Sequence, residues 1–195
     1  MPREPQPALS NLQQVSLVLL RTLVGWHFLY EGYYKFSLPA WSADGQPIGA
    51  FSSIGFIKAA TGPLGRLARA VIDAGLGPTL DKLIVFGLLA VGISLILGLV
   101  TRAGCVGAIA LLAMFYFTAV PTTGLPQDHA EGTYLLVNKT LIEGLAVLAL
   151  YAFDTGRIAG LDRLWHDRRR GNVDAAGVAP GDASTVSASS LGQKA

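Results

Sequence analysis

A chain of 195 residues that is 51% hydrophobic and only 14% charged lies well below the roughly 25% charged residues of a soluble domain and falls in the membrane class. Its net charge of +2 is too small to suggest nucleic-acid binding, so no nucleic-acid partner is expected. A single cysteine, Cys105, excludes an intramolecular disulfide and a CxxC redox pair, and any electron chemistry must use a borrowed cofactor.

A bilayer core of ~30 Å needs about 20 mostly apolar residues per helix. Four stretches qualify, at about 14–36, 82–100, 103–121 and 134–153. They predict an all-α, integral membrane four-helix bundle over residues 14–166, with a cytoplasmic segment at 1–13 and a disordered tail at 167–195. Arg21 breaks the first apolar run and no small-residue cleavage site follows it, so the run reads as a retained span rather than a signal peptide.

The connection at 37–81 carries too many apolar residues to stay disordered in water. Leu64, Leu67, Ala68, Val71 and Ile72 recur at helical spacing opposite Arg66, Arg69 and Asp73, and "GFIKAATG" predicts a short helix closed by glycine. Such helices either lie in the interface plane or cap the bundle as a lid. "TR" at 101–102 joins the second and third spans into a hairpin. Ala90, Ser94 and Gly98 on one side and Gly104 and Ala108 on the other would let the backbones approach closely.

The third connection, 122–132, holds Asp128, His129 and Glu131, whose spacing matches no metal motif; no metal is expected. "NKT" at 138–140 spells a glycosylation sequon, but it lies inside the predicted fourth helix. Arg102 in the hairpin turn and Arg157, Arg163, Arg168, Arg169 and Arg170 predict a multi-pass protein with both termini cytoplasmic.

Titratable groups inside these spans need an explanation. "LVGWHFLYEGYYKF" places His27, Glu31 and Lys35 on a four-residue spacing, and "YLLVNKTLIEGL" adds Asn138, Lys139 and Glu143. Each isolated charge would cost about 2.5–3.5 kcal/mol at mid-membrane, and the usual escape is to face the bundle interior and pair. At ~1.5 Å per residue, Glu31 and Lys139 lie at matching depths below the outer ends of their helices. Glu143 comes one turn deeper, and Arg21 lies beyond it, within the reach of a guanidinium on a long stem. The expected pairs are therefore Arg21 with Glu143 and Glu31 with Lys139, with Lys35 near the mouth and His27 and Asn138 completing the network. In this reading Glu31, His27 and Glu143 handle protons as the catalytic groups. Arg21, Lys35, Asn138 and Lys139 bind substrate, and the surplus positive charge welcomes an anion or a polarised carbonyl. The competing readings are ion pairs that only fix helix register and a proton relay along Glu143, Glu31 and His27. Trp26, Trp41, Tyr30, Tyr33 and Tyr34 fit an interfacial aromatic belt, with a stacking wall for a quinone ring as a secondary role.

The stretches "LRTLVGWHFLYEGYYKF", "WSADG", "GLLAVGISLILGLVTRAG", "YLLVNKTLIE" and "TGRIAGLD" together make the chain resemble the DoxX family, whose members include the DoxD-like small subunit of thiosulfate:quinone oxidoreductase. The resemblance spans residues 14–163. It implies a small four-helix protein of the bacterial inner membrane that passes electrons from a sulfur compound such as thiosulfate to a quinone, with no tightly bound cofactor and with a redox partner subunit. A non-enzymatic membrane scaffold for soluble redox or stress-defence partners is the alternative it implies. The family supplies no agreed catalytic set, so the residues named above rest on the charges alone.

Overall fold

The computed structural model describes residues 9–37, 42–43, 46–47, 49–60, 62–120, 133–134 and 136–163. Most of the expected cytoplasmic segment, Trp41, the outer-loop trio Asp128, His129 and Glu131, the arginines at 168–170 and the tail expected to be disordered all lie outside the described residues.

The described chain is mostly helical. Helix α1 runs Asn11–Ser37, α2 Ile54–Lys58, α3 Gly65–Asp73, α4 Gly77–Leu97, α5 Thr101–Thr118, α6 Lys139–Ala152 and α7 Thr155–Ile158. Two-residue strands β1 (Ser42–Ala43) and β2 (Gln46–Pro47) pair antiparallel, as do β3 (Thr133–Tyr134) and β4 (Val137–Asn138). The long helices pack in a ring, α1 on α4, α4 on α5, α5 on α6 and α6 back on α1. Their core contains Phe28, Leu88, Leu95, Ala108, Val147 and Leu150.

The most extensive seam joins α1 to α4, and glycine makes it possible. A Cβ placed on Gly92 would stand 2.5 Å from the Leu29 backbone nitrogen, and one on Gly32 would stand 2.9 Å from that of Leu89. Removing the side chain lets the two backbones approach closely. In the α4–α5 hairpin the expected small residues are only partly at the contact. Ser94 faces Gly104 and Ala108 is fully buried, but Ala90 points outward.

Helix ends follow local chemistry. Pro78 stands in the first turn of α4, where its missing N–H is harmless. Gly98 closes that helix at φ 62°, in the left-handed region glycine enters freely. Asn138 caps α6 in extended conformation, its Oδ1 accepting from Leu141 N at 2.9 Å. That cap starts the helix five residues later than 134, and Asn138 of the sequon therefore lies at the helix boundary rather than inside it.

Among the described residues two helices, α4 and α5, are long and apolar enough to cross a membrane. The sequence suggested four such spans. The α1 helix has the length, at 27 residues, but Arg21, His27, Glu31 and Lys35 interrupt its apolar run. The α6 helix has only 14 residues, about 21 Å of rise, short of a ~30 Å hydrocarbon core.

Candidate functional site

A cavity of about 460 Å³ opens between α1, α4, α5, α6 and the α2–α3 segment. Its polar wall carries His27, Glu31, Lys35, Asn138, Lys139 and Glu143, six of the seven residues that the sequence marks as functional. The facing wall is apolar, with Phe28, Ile84, Leu88, Leu112, Met114 and Phe115. A concave, mostly apolar site with a few convergent polar groups is the usual form of a small-molecule pocket.

The tightest contact on the polar wall joins α1 to α6. His27 Nδ1 and Glu143 Oε1 lie 2.6 Å apart, at the short end of charge-assisted contacts between nitrogen and a carboxylate. With the proton on Nδ1, the imidazole donates to the carboxylate and is held in one orientation. Its Nε2, which makes no hydrogen bond among the described residues, is then left to exchange protons. Glu143 is mostly shielded and His27 about half exposed, at 14% and 47%, so the pair presents its histidine to the space outside the core.

Eight residues further along α1, Lys35 Nζ meets Glu31 Oε2 at 2.8 Å and also sits 5.0 Å from the centre of the Phe51 ring. The lysine thus ties α1 to the segment above the cavity by an ion pair and a cation–π contact. Lys139 makes no ion pair or hydrogen bond among the described residues. It is the uncommitted positive charge of the site.

The α2–α3 segment roofs the cavity through Ser53, Phe56, Ile57 and Ala68. Three polar contacts hold it down. Ser53 N donates to Asp81 Oδ1 on α4 at 2.8 Å, while Gly62 N and Leu64 N donate to the carbonyls of Thr118 and Phe117 at the end of α5. Arg69 Nη1 folds back onto the Ala60 carbonyl at 2.8 Å.

Both expected ion pairs are replaced. Glu31 takes Lys35 instead of Lys139 because an i,i+4 neighbour on the same helix is already in reach. Glu143 takes His27 instead of Arg21, and Arg21 does not line the cavity. Arg21 is 3% exposed at the opposite end of the bundle, where its Nη1 donates to the Thr155 carbonyl at 2.8 Å. Asn138 lines the cavity but spends its side-chain oxygen on capping α6.

The α4–α5 turn end, where Arg21 sits, has its own network, which charge counting overlooked. Asp162 Oδ1 and Oδ2 accept from Val100 N at 2.7 Å and Thr101 N at 2.8 Å, and Asp162 N donates to the Gly98 carbonyl at 2.9 Å. A carboxylate from beyond α6 therefore caps α5. Asp154 pairs with Arg157 Nε at 3.1 Å and more loosely with Arg102 Nε at 3.8 Å.

Among the described residues no group of three or more His, Cys, Asp or Glu side chains could hold a metal ion. No family model, curated protein or solved structure matches the chain significantly.

Proposed function

We propose that this protein is a DoxX-like, multi-pass bacterial inner-membrane subunit that binds a quinone head group in the cavity and links its reduction to oxidation of a small anionic sulfur compound. The observation that carries the proposal is the His27–Glu143 pair, 2.6 Å apart, on the polar wall of an otherwise apolar 460 Å³ cavity.

Membrane embedding is supported by what the helices expose. Only 33% of the apolar stretch in α4 and in α5 is buried inside the protein, whereas the core helix of a soluble protein would be mostly buried. Leu23, Leu83, Phe86, Val106, Ile142 and Leu145 are exposed on four different helices. An apolar surface running around the whole bundle suits lipid. In this arrangement α1 and α6 complete the membrane domain beside α4 and α5, both termini are cytoplasmic, and the α2–α3 segment lies on the outer side as a lid.

The chemistry follows from the two walls. A quinone takes up two electrons and two protons on reduction. The apolar wall suits its ring, and the His27–Glu143 pair is placed to deliver a proton to an oxygen at the polar end. Glu143 holds the imidazole in one tautomer and orientation. Lys139, with Lys35 at the lid, supplies positive field to a thiosulfate-class anion or to the oxygen that gains charge. Arg21 has no part in this site. Electrons reach the quinone from the sulfur donor with the help of a redox partner subunit.

The scaffold reading has a specific weakness. If the charges served only to hold helices together, the space between Glu31 and Lys139 would be filled, yet both line the cavity. The decisive test is reduction of a short-chain quinone by purified protein, alone and with co-purified partners, using thiosulfate, sulfite or sulfide as donor. Turnover that disappears in Glu143→Gln while the protein remains at normal membrane levels supports the proposal. No turnover with any donor in either preparation returns the protein to the scaffold class.

A further inference from the structure

Helices α1 and α6 do not end together. Beyond His27, α1 continues ten residues to Ser37, about 15 Å along its axis. From Glu143 toward the same end, α6 reaches only four residues, to Lys139, about 6 Å. Above the His27–Glu143 contact α1 therefore outruns α6 by roughly 9 Å. The turn between β3 and β4 that leads into α6 is tied to the other neighbour, Tyr116 Oη on α5 donating to the Leu136 carbonyl at 2.7 Å. Among the described residues, the upper part of the α1–α6 seam is thus left open. Exposure agrees. His27 and Glu31 line the cavity, yet their side chains are 47% and 39% exposed, and Lys139 is exposed as well. On the facing wall Phe28, Ile84 and Leu88 are buried.

In the membrane arrangement proposed above, this gap faces acyl chains rather than water, since a point about 15 Å down α1 falls near the middle of a ~30 Å core. Its rim is apolar. Tyr30, three residues after His27, and Ile142, three after Lys139, share the faces of those residues and are 49% and 59% exposed. The Trp26 ring, 6.4 Å from that of Tyr30, extends the aromatic edge. Polar groups that open onto hydrocarbon are costly and ordinarily find a partner, but His27 Nε2 and Lys139 Nζ have none among the described residues. A molecule with a polar head and an apolar chain satisfies both parts of the gap at once.

We propose that the gap between α1 and α6 is a side entrance from the bilayer, and that the cavity takes an amphiphile. Its head meets His27 and Lys139, and its hydrocarbon tail leaves between Tyr30 and Ile142 and stays in the lipid. This inference rests on the reading of the cavity as a ligand site in a membrane-embedded protein, and adds to it the route and the shape of the ligand. A cavity of about 460 Å³ holds a drug-sized body, so a chain long enough to anchor a molecule in the bilayer must remain outside. The lid need not open for exchange. It can keep its bonds to Asp81 on α4 and to the end of α5 while ligands pass beneath it from the side.

The test uses the full chain in lipid nanodiscs and two probes with one head, 2,3-dimethoxy-5-methyl-1,4-benzoquinone and its 6-decyl derivative. Association is followed by quenching of tryptophan fluorescence at equal probe concentrations in the lipid. Ile142→Tyr narrows the gap and should slow association of the decyl probe about tenfold, within the range over which association rates move among variants of one site, with a smaller effect on the tail-less probe. Tyr30→Ala widens the gap and should speed the decyl probe, which keeps the test open if the first variant folds poorly. Leu83→Tyr, at an exposed position on α4 that does not line the cavity, should change neither rate. Rates that Ile142→Tyr and Tyr30→Ala leave unchanged, or shift equally for both probes, would overturn the side entrance and give the ligand an aqueous route past the lid. A disulfide between two copies of the Ile142→Cys protein would also overturn it, the gap then being covered by a second chain. Failure of wild-type protein to bind either probe would instead remove the ligand site itself.

Discussion

At the α4–α5 turn end, Arg21 gives its guanidinium to a backbone carbonyl and Asp162 gives its carboxylate to two backbone N–H groups. At the lid end, His27 and Glu143 meet side chain to side chain beside open space, and Lys139 stays uncommitted. The two ends hold comparable numbers of ionisable groups in the same bundle. At one end charge completes the backbone of a tightly packed turn. At the other it faces a void in which a ligand could use it. Buried charge alone therefore does not mark a site; charge next to unfilled volume does.

The comparison can be broken or sharpened by substitution. The largest effect belongs to neither end but to the seam that holds both. Gly92→Leu drives a side chain into the Leu29 backbone, and overpacking of this kind costs about 1–3 kcal/mol or more. Loss of most of the protein from membranes is expected, read by quantitative blot. Glu143→Gln comes next. It should lower quinone turnover at least about 100-fold, within the usual range for a general acid–base group, while the melting temperature changes little. Arg21→Met should do the reverse. It removes a charged hydrogen bond worth about 1.5–3 kcal/mol and so lowers thermal stability, with turnover per folded molecule retained. Lys139→Met should have the smallest effect, about a threefold rise in the KM for an anionic donor that shrinks at high salt, since an exposed charge is readily screened. If Arg21→Met abolished turnover in stable protein, or Glu143→Gln unfolded it, the division between the two ends would collapse.

Much of this architecture is legible in the residues. The unbroken apolar runs from Leu83 and from Ala103 give α4 and α5, but the turn that joins them lies at 98–100, and Thr101 and Arg102, read as the turn, already form the start of α5. Six of the seven candidate side chains share one cavity because each sits near the same end of its helix. The partner assignments fail for a definite reason. By rise per residue, Glu143 is level with His27, and only the attraction of opposite charge points it to Arg21, six residues further along α1. Depth decides, because a helix cannot slide to satisfy one pair without displacing the glycine-mediated seam between α1 and α4. The role of Asp162 was not visible in the sequence, because it depends on a loop returning to a helix end, and neither hydrophobic period nor charge spacing reports where a loop returns.

Val100 is β-branched and sits at φ 49° between α4 and α5, a conformation that disfavours such side chains and is kept only when surrounding structure imposes it. What imposes it is a carboxylate 62 positions later in the chain. The shape of the α4–α5 turn thus depends on a segment beyond α6, and a chain truncated before residue 162 should exchange the amide hydrogens of Val100 and Thr101 faster than the full chain.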